Sequence, residues 1–175
     1  ALKDQTRYQF ENACNSNLVL GVVGNNLYQG QNAALVTKDQ SRLNVQSFLV
    51  TKISENVYRL NISNDLIIGI SSSTLYASTW IFLDVNSQKF DFLDAKNNQI
   101  AIRTKQNGLP LTADSLSADS ALKQASYSSD CKQRFIAKEV TLPAPSPVPA
   151  PSPGPSPSPS PSAPALNQND PRVKW

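Results

Sequence analysis

Gln46-Ser47-Phe48, Gln88-Lys89-Phe90 and Gln133-Arg134-Phe135 are three short stretches that echo one another along this chain. The chain has six Phe, and these three each follow a Gln by two places, 42 and 45 residues apart. Each echo opens a segment with strand character: Phe48-Leu49-Val50, Phe90-Asp91-Phe92-Leu93 and Phe135-Ile136-Ala137. A recurring period of this length bears on the whole architecture, because each repeat is one unit that must bury its apolar face against the others.

The period extends upstream of each Gln. A first strand-like piece reads Tyr8-Gln9-Phe10, Tyr58-Arg59-Leu60 and Ile100-Ala101-Ile102. A second, more apolar piece follows: Leu18-Val19-Leu20-Gly21, Leu66-Ile67-Ile68-Gly69 and a weaker Leu109-Pro110-Leu111. A third comes before the Gln: Ala34-Leu35-Val36, Trp80-Ile81-Phe82-Leu83 and Ala121-Leu122. Four short strands in each of three repeats predict an all-β chain and a β-trefoil, in which six strands close a barrel and three hairpins cap it. Closure removes the exposed edges that would otherwise template aggregation. A two-sheet sandwich or jelly roll is the competing architecture.

The Gln-x-Phe stretches, spread over roughly residues 8–140, resemble the Gln-x-Trp repeat of ricin-type β-trefoil domains. At Gln46, Phe48, Gln88, Phe90, Gln133 and Phe135 the expectation is structural: the Phe fills the barrel and the Gln satisfies turn backbone. The resemblance also implies where sugar would bind, through an Asp in the second strand of a repeat and an Asn just before the Gln. The second-strand positions fall near Gly21, Gly69 and Thr112, and the residues before the Gln are Val45, Ser87 and Lys132. A carboxylate accepting two sugar hydroxyls is the core of that recognition, and neither Gly nor Thr replaces it. The fold is therefore expected without the family's ordinary sugar chemistry.

The chain has two unlike parts. Residues 1–142 contain one proline, Pro110, and enough aliphatic and aromatic residues for one core; residues 143–175 hold the other twelve of thirteen. The expected organisation is a globular domain over 1–142, an arm over 143–164 and a tip over 165–175. With 16 basic and 13 acidic residues and no basic run, phosphate neutralisation has no footing, so no nucleic-acid partner is expected. No apolar stretch approaches the roughly 18 residues of a membrane span.

With no His in the sequence, the usual acid–base and nucleophile-activating partner is missing, and no enzymatic activity is expected. Asp84, Asp91 and Asp94 are scattered carboxylates, with Asp91 and Asp94 read as solvated turns flanking Phe92-Leu93, so no metal or cofactor is expected. The chain lacks Met, and a cleaved secretory leader is expected upstream of Ala1. Cys14 follows the first barrel strand and Cys131 precedes the last. These strands are antiparallel neighbours in a trefoil, which predicts a Cys14–Cys131 disulfide at the barrel seam. Asn61-Ile62-Ser63 is a glycosylation sequon at a strand end. Within 112–124, Ser115 and Asp119 are candidate caps of a helical turn.

From Pro143 to Pro161 every second residue is proline. Proline fixes φ and removes the amide donor, so the segment is expected to be polyproline II, at about 3.1 Å per residue. Alternating Ser-Pro and Ala-Pro resembles the hydroxyproline-rich glycoproteins of plant and green-algal walls. That resemblance implies hydroxylation and O-glycosylation at Pro143, Pro145, Pro147, Pro149, Pro151, Pro153, Pro155, Pro157, Pro159 and Pro161. The tip alternates Val173 and Trp175 outward from Arg172 and Lys174, a half-buried strand pattern in miniature and a candidate anchor in another molecule.

The expected function is that of a secreted structural protein of cell wall or matrix, assembling head to tail with itself as partner, its tip docking on the next protomer. The alternative is a secreted carbohydrate-binding, lectin-like module on a proline-rich stalk, with glycans as partners.

Overall fold

In a computed structural model the chain is described over residues 2–95, 97–143, 149, 151–155 and 157. Twelve strands run in order: β1 (Thr6–Asn12), β2 (Asn15–Val22), β3 (Ala33–Thr37), β4 (Phe48–Ser54), β5 (Val57–Asn61), β6 (Ile67–Ile70), β7 (Ala77–Trp80), β8 (Phe90–Ala95), β9 (Gln99–Thr104), β10 (Leu111–Ala113), β11 (Ser120–Gln124) and β12 (Phe135–Glu139). One four-residue helix, α1 (Leu43–Gln46), precedes β4.

Six strands form a closed ring. β1 pairs with β4, β4 with β5, β5 with β8, β8 with β9, β9 with β12, and β12 again with β1, all antiparallel. The three remaining hairpins, β2–β3, β6–β7 and β10–β11, cap the barrel. They touch one another through Ser120 opposite Leu35, Asn32 opposite Ser78 and Tyr76 opposite Lys123, one contact for each pair of repeats. A six-strand barrel under three hairpins is the β-trefoil, and no two-sheet sandwich is present among the described residues.

Register shows the threefold relation directly. Tyr8 faces Phe48, Tyr58 faces Phe90 and Ile100 faces Phe135 across successive barrel pairs. The next inward layer is Phe10, Leu60 and Ile102, each fully buried, as are Phe48, Phe90 and Phe135. Side chains of alternate residues point to one face of a strand, so each short strand delivers two apolar residues inward. The three Phe rings are thus equivalent pieces of one core, and they account for half of the chain's six.

Cys14 and Cys131 form a disulfide, with 5.7 Å between their Cα atoms and a separation of 117 positions in sequence. It sits where β1 ends beside the start of β12, since Asn12 faces Phe135. Closing a loop of that length is worth about 5 kcal/mol in the chain-entropy model.

Three local expectations are corrected. Trp80-Ile81-Phe82-Leu83 does not form a strand beyond Trp80, because the backbone of Ile81 and Leu83 bonds to a side chain instead of a neighbouring strand. Residues 112–124 hold no helical turn. They are the β10–β11 hairpin, with Asp119 at φ +63° and the Ser115 amide donating to the Ser120 hydroxyl at 2.8 Å. Asp91 and Asp94 lie within β8, and Asp91 accepts two 2.9 Å bonds from Arg103 on β9.

By contacts the chain divides into residues Ala1–Pro143 and Ala144–Trp175. In the second unit the described residues, Pro149, 151–155 and Pro157, are exposed and belong to no strand or helix. No helix among the described residues is long and apolar enough to cross a membrane.

Truncating an equivalent ring should be equally costly in every repeat. Phe48→Ala, Phe90→Ala and Phe135→Ala are each expected to lose about 3–5 kcal/mol of stability in urea unfolding. A loss under about 1 kcal/mol at any of them would break the threefold reading of the core. Thiol titration of the denatured, unreduced protein is expected to find no free thiol.

Candidate functional site

Each repeat's Gln uses both ends of its side-chain amide on the chain just upstream. Gln46 Nε2 donates to the Thr37 carbonyl and its Oε1 accepts from the Asp39 amide, both at 2.9 Å. Gln88 does the same with the Ile81 carbonyl and Leu83 amide, both at 2.7 Å. Gln133 reaches the Ser126 carbonyl at 2.7 Å and the Ser128 amide at 2.9 Å. All three Gln side chains are buried, where an unpaired amide is costly. The segment after the third strand of each repeat is therefore folded around its Gln, and a short helical turn (Gln40–Arg42 with α1, Asn86–Gln88, Cys131–Gln133) leads into the barrel strand.

The surface beside each Gln differs between repeats. In the first, the space is filled: a Cβ placed on Gly21 would lie 2.8 Å from the Val45 carbonyl and 3.3 Å from Gln46 Cα. The two-residue-longer turn carrying α1 packs directly on β2, so glycine is required there. In the second repeat a cleft of about 380 Å³ is open. Its floor is Gly69, Ile70 and Gln88, one wall is Trp80, Leu83 and Val85, and the remaining lining includes Asn32, Ser71, Tyr76, Ser78 and Ser87. None of its lining residues is charged. Trp80 is 40% exposed.

That cleft is held in shape by a contribution from the first repeat. The Gly30 amide donates to the Thr79 carbonyl at 2.7 Å and the Thr79 amide to the Gln31 carbonyl at 2.8 Å, while Thr79 Oγ1 donates to the Tyr28 carbonyl at 2.6 Å. Gly30 is thereby fixed at φ +85°, with its missing side chain aimed at the Trp80 ring, 3.7 Å away.

In the third repeat a smaller cleft, about 270 Å³, is lined by Thr112, Asp114, Lys123, Ser128, Asp130, Lys132 and Gln133 among others. Asp114 takes a 3.1 Å ion pair from Lys123 and a 3.2 Å hydrogen bond from the Tyr76 hydroxyl. The hydrogen bond to Asp114, then its charge, raises the Lys123 pKa above its ordinary value. Thr112 Oγ1 accepts from Gln133 Nε2 at 3.0 Å. The family pattern places its carboxylate near Thr112; the carboxylates that line this cleft are Asp114, one residue past the end of β10, and Asp130.

A wider hollow, about 910 Å³, lies where the β4–β5 and β8–β9 turns end the barrel. Of its two carboxylates, Asp91 is paired with Arg103 and Lys105, and Asp94 lines it without an ion pair among the described residues; no aromatic ring as exposed as Trp80 lines it. No group of three or more potential metal ligands occurs among the described residues.

Of the other sequence-derived positions, Asn61 lies on β5, half-buried and opposite Leu49 and Ile67. Pro143, Pro149, Pro151, Pro153, Pro155 and Pro157 are exposed. Pro145, Pro147, Pro159, Pro161, Val173 and Trp175 lie outside the described residues.

Solved structures share this architecture. The designed 3-fold symmetric protein ThreeFoil matches with a TM-score of 0.68 at 15% identity, covering 77% of this chain and 99% of that one. The C-half of an earthworm R-type lectin, solved with GalNAc, matches at 0.58 and 15%, with the same coverage. An exo-β-1,3-galactanase from Clostridium thermocellum matches at 0.71 and 15%, over 80% of this chain and 31% of that one. The chain is a β-trefoil. At these identities the likeness is one of fold, and this chain spans about a third of the galactanase. No protein-family model matches the chain, and no curated protein matches its sequence.

Gln88→Ala would leave the Ile81 carbonyl and the Leu83 amide without their partner. The expected cost is about 1–3 kcal/mol, with proteolysis appearing first within residues 81–85. An unchanged unfolding midpoint would show that this Gln does not hold its segment.

Proposed function

We propose that the chain is a secreted carbohydrate-binding module and that the cleft of its second repeat is the sugar site. The observation that carries this reading is the composition of that cleft: a part-exposed indole and a tyrosine over an uncharged floor rich in hydroxyl and amide groups. A sugar has an apolar face that packs on an aromatic ring and a rim of hydroxyls that needs hydrogen-bond partners. Pockets of this volume with a few convergent polar groups are ordinary small-ligand sites, and aromatic rings supply large contact area with little conformational cost. The lectin among the structural neighbours supports the same reading. The disulfide is compatible with an oxidising, extracellular setting.

Recognition here would not follow the family's second-strand carboxylate. Gly69 occupies that place, and a Cβ there would already come within 3.1 Å of Gln88 Cγ. Trp80, Tyr76, Asn32 and Ser78 take its role, with the third-repeat cleft and Asp114 as a second, more polar subsite. The neighbours that are glycosidases by name share only the fold with this chain, and the reading is one of binding without catalysis. The head-to-tail filament expected from the sequence rests on Val173 and Trp175, and the neighbours favour its alternative. The proline-rich arm is then a stalk, and its modification is read by peptide mass spectrometry: hydroxyproline carrying pentose or hexose between Pro143 and Pro161 is expected, and bare proline throughout would remove that part.

On a glycan array the full chain is expected to bind a restricted set of sugars. Trp80→Ala is expected to abolish binding to that set, and Asp114→Asn to weaken it less. Array binding that survives Trp80→Ala would place the sugar elsewhere.

A further inference from the structure

The three Gln-held segments provide an internal comparison. Their backbones do the same work, giving one carbonyl and one amide to the Gln. In the first repeat the residues are Thr37-Lys38-Asp39, in the third Ser126-Tyr127-Ser128, and in the second Ile81-Phe82-Leu83. The first repeat is polar at all three places and the third at the outer two, with Tyr127 45% exposed between them, so the fold does not demand an apolar run. Yet in the second repeat Ile81, Phe82, Leu83 and Val85 are 44%, 41%, 53% and 43% exposed, and Trp80 adjoins them; Asp84, the one charged residue in the run, is neutralised by a 2.9 Å ion pair with Lys89. Exposed apolar residues scattered singly need no explanation, but a contiguous set does.

Two further observations narrow the occupant. The Arg59 guanidinium lies 4.7 Å from the Phe82 ring centre and has no ion-pair partner among the described residues; its Nε is buried against the patch without a hydrogen-bond partner. A cation is thus held over the apolar patch. The exposed apolar area of the patch is on the order of 400 Å², and its charges, Arg59 beside the 2.9 Å Asp84–Lys89 ion pair, leave it net positive. Two copies apposed through it would set like charge against like charge. A bilayer interface suits the patch better, since it takes a few apolar side chains, places Trp at the headgroup level and presents phosphates to a basic side chain.

We propose that the Trp80–Val85 segment is a membrane-interface anchor: Ile81, Phe82 and Leu83 enter the headgroup region of a bilayer while Arg59 pairs with a lipid phosphate. The segment is suited to this because Gln88 already fixes its backbone, so little ordering remains to be lost on binding. The anchor lies on the rim of the second-repeat cleft, through Trp80, Leu83 and Val85, so a sugar held there would be one displayed close to the lipid surface.

The test uses the full chain with Trp175→Phe, which leaves Trp80 as the sole tryptophan. Mixed phosphatidylcholine–phosphatidylserine vesicles are expected to shift its emission to the blue and to carry the protein down on sedimentation. Ile81→Ser and Phe82→Ser line no part of the cleft; together they are expected to reduce partitioning about tenfold or more with an unchanged circular dichroism spectrum and unchanged glycan-array binding. Arg59→Gln is expected to weaken binding to these vesicles and to flatten its salt dependence. Absence of partitioning, or partitioning that survives the double substitution, overturns the proposal. So does a concentration-dependent rise in mass by light scattering, without lipid, that Phe82→Ser removes, because the patch would then be a contact between copies. Vesicle binding without any glycan on the array leaves the anchor standing and removes the sugar site instead.

Discussion

A glutamine amide buried at the foot of a barrel strand must find both a donor and an acceptor, and in this chain it finds them on residues two apart in the preceding turn. Gln46, Gln88 and Gln133 each make that pair of bonds. The consequence is geometric. The turn is pulled against the strand end, the Phe two places later is carried into the barrel, and it meets Tyr8, Tyr58 or Ile100 of the adjoining strand. Because the bonds are to backbone, the side chains of the turn are left free to vary. One constraint repeated three times therefore builds a common core and three unlike surfaces.

Those surfaces diverge by simple means. In the first repeat the turn is longer and its α1 fills the space beside Gly21. In the third, Asp114, Lys123, Asp130 and Lys132 line the cleft, and the mutual pairing of Asp114 and Lys123 lowers their demand for an outside ligand. In the second the turn is short and apolar, leaving an uncharged cleft walled by Trp80. The aromatic wall and the exposed apolar rim are two faces of one segment, so the proposed sugar site and the proposed anchor fall in the same repeat.

Much of the fold was legible in the sequence because it rests on short-range pattern. The three Gln-x-Phe echoes, the alternating apolar pieces and the cysteines at the seam each reflect a packing requirement that leaves a residue-type signature. The function of the Gln side chains was legible for the same reason. The site was not. The missing second-strand carboxylate pointed away from sugar chemistry, but the cleft is assembled from Gly30 and Asn32 of one repeat and Trp80 of another, residues that no spacing connects. Trp80-Ile81-Phe82-Leu83 read as a strand because four consecutive apolar residues near a turn usually are one. A single buried amide overrode that propensity, and it cannot be seen without the tertiary structure. Asp114, of the proposed second subsite, lies one residue past the end of β10, in the β10–β11 turn, where an apolar strand pattern gives no register.

Whether the second cleft is a sugar site is tested most directly by nuclear magnetic resonance. Isotope-labelled full-length protein would be titrated with a panel of sugars, GalNAc and galactose among them, while the indole N–H of Trp80 and the backbone amides of residues 69–88 are followed. Binding in this cleft requires that at least one sugar shift the Trp80 indole resonance together with the amides of Gly69, Ser78 and Ser87, in a saturable manner. Shifts confined to Asp114, Lys123 and Lys132, or no saturable shift anywhere, would contradict it.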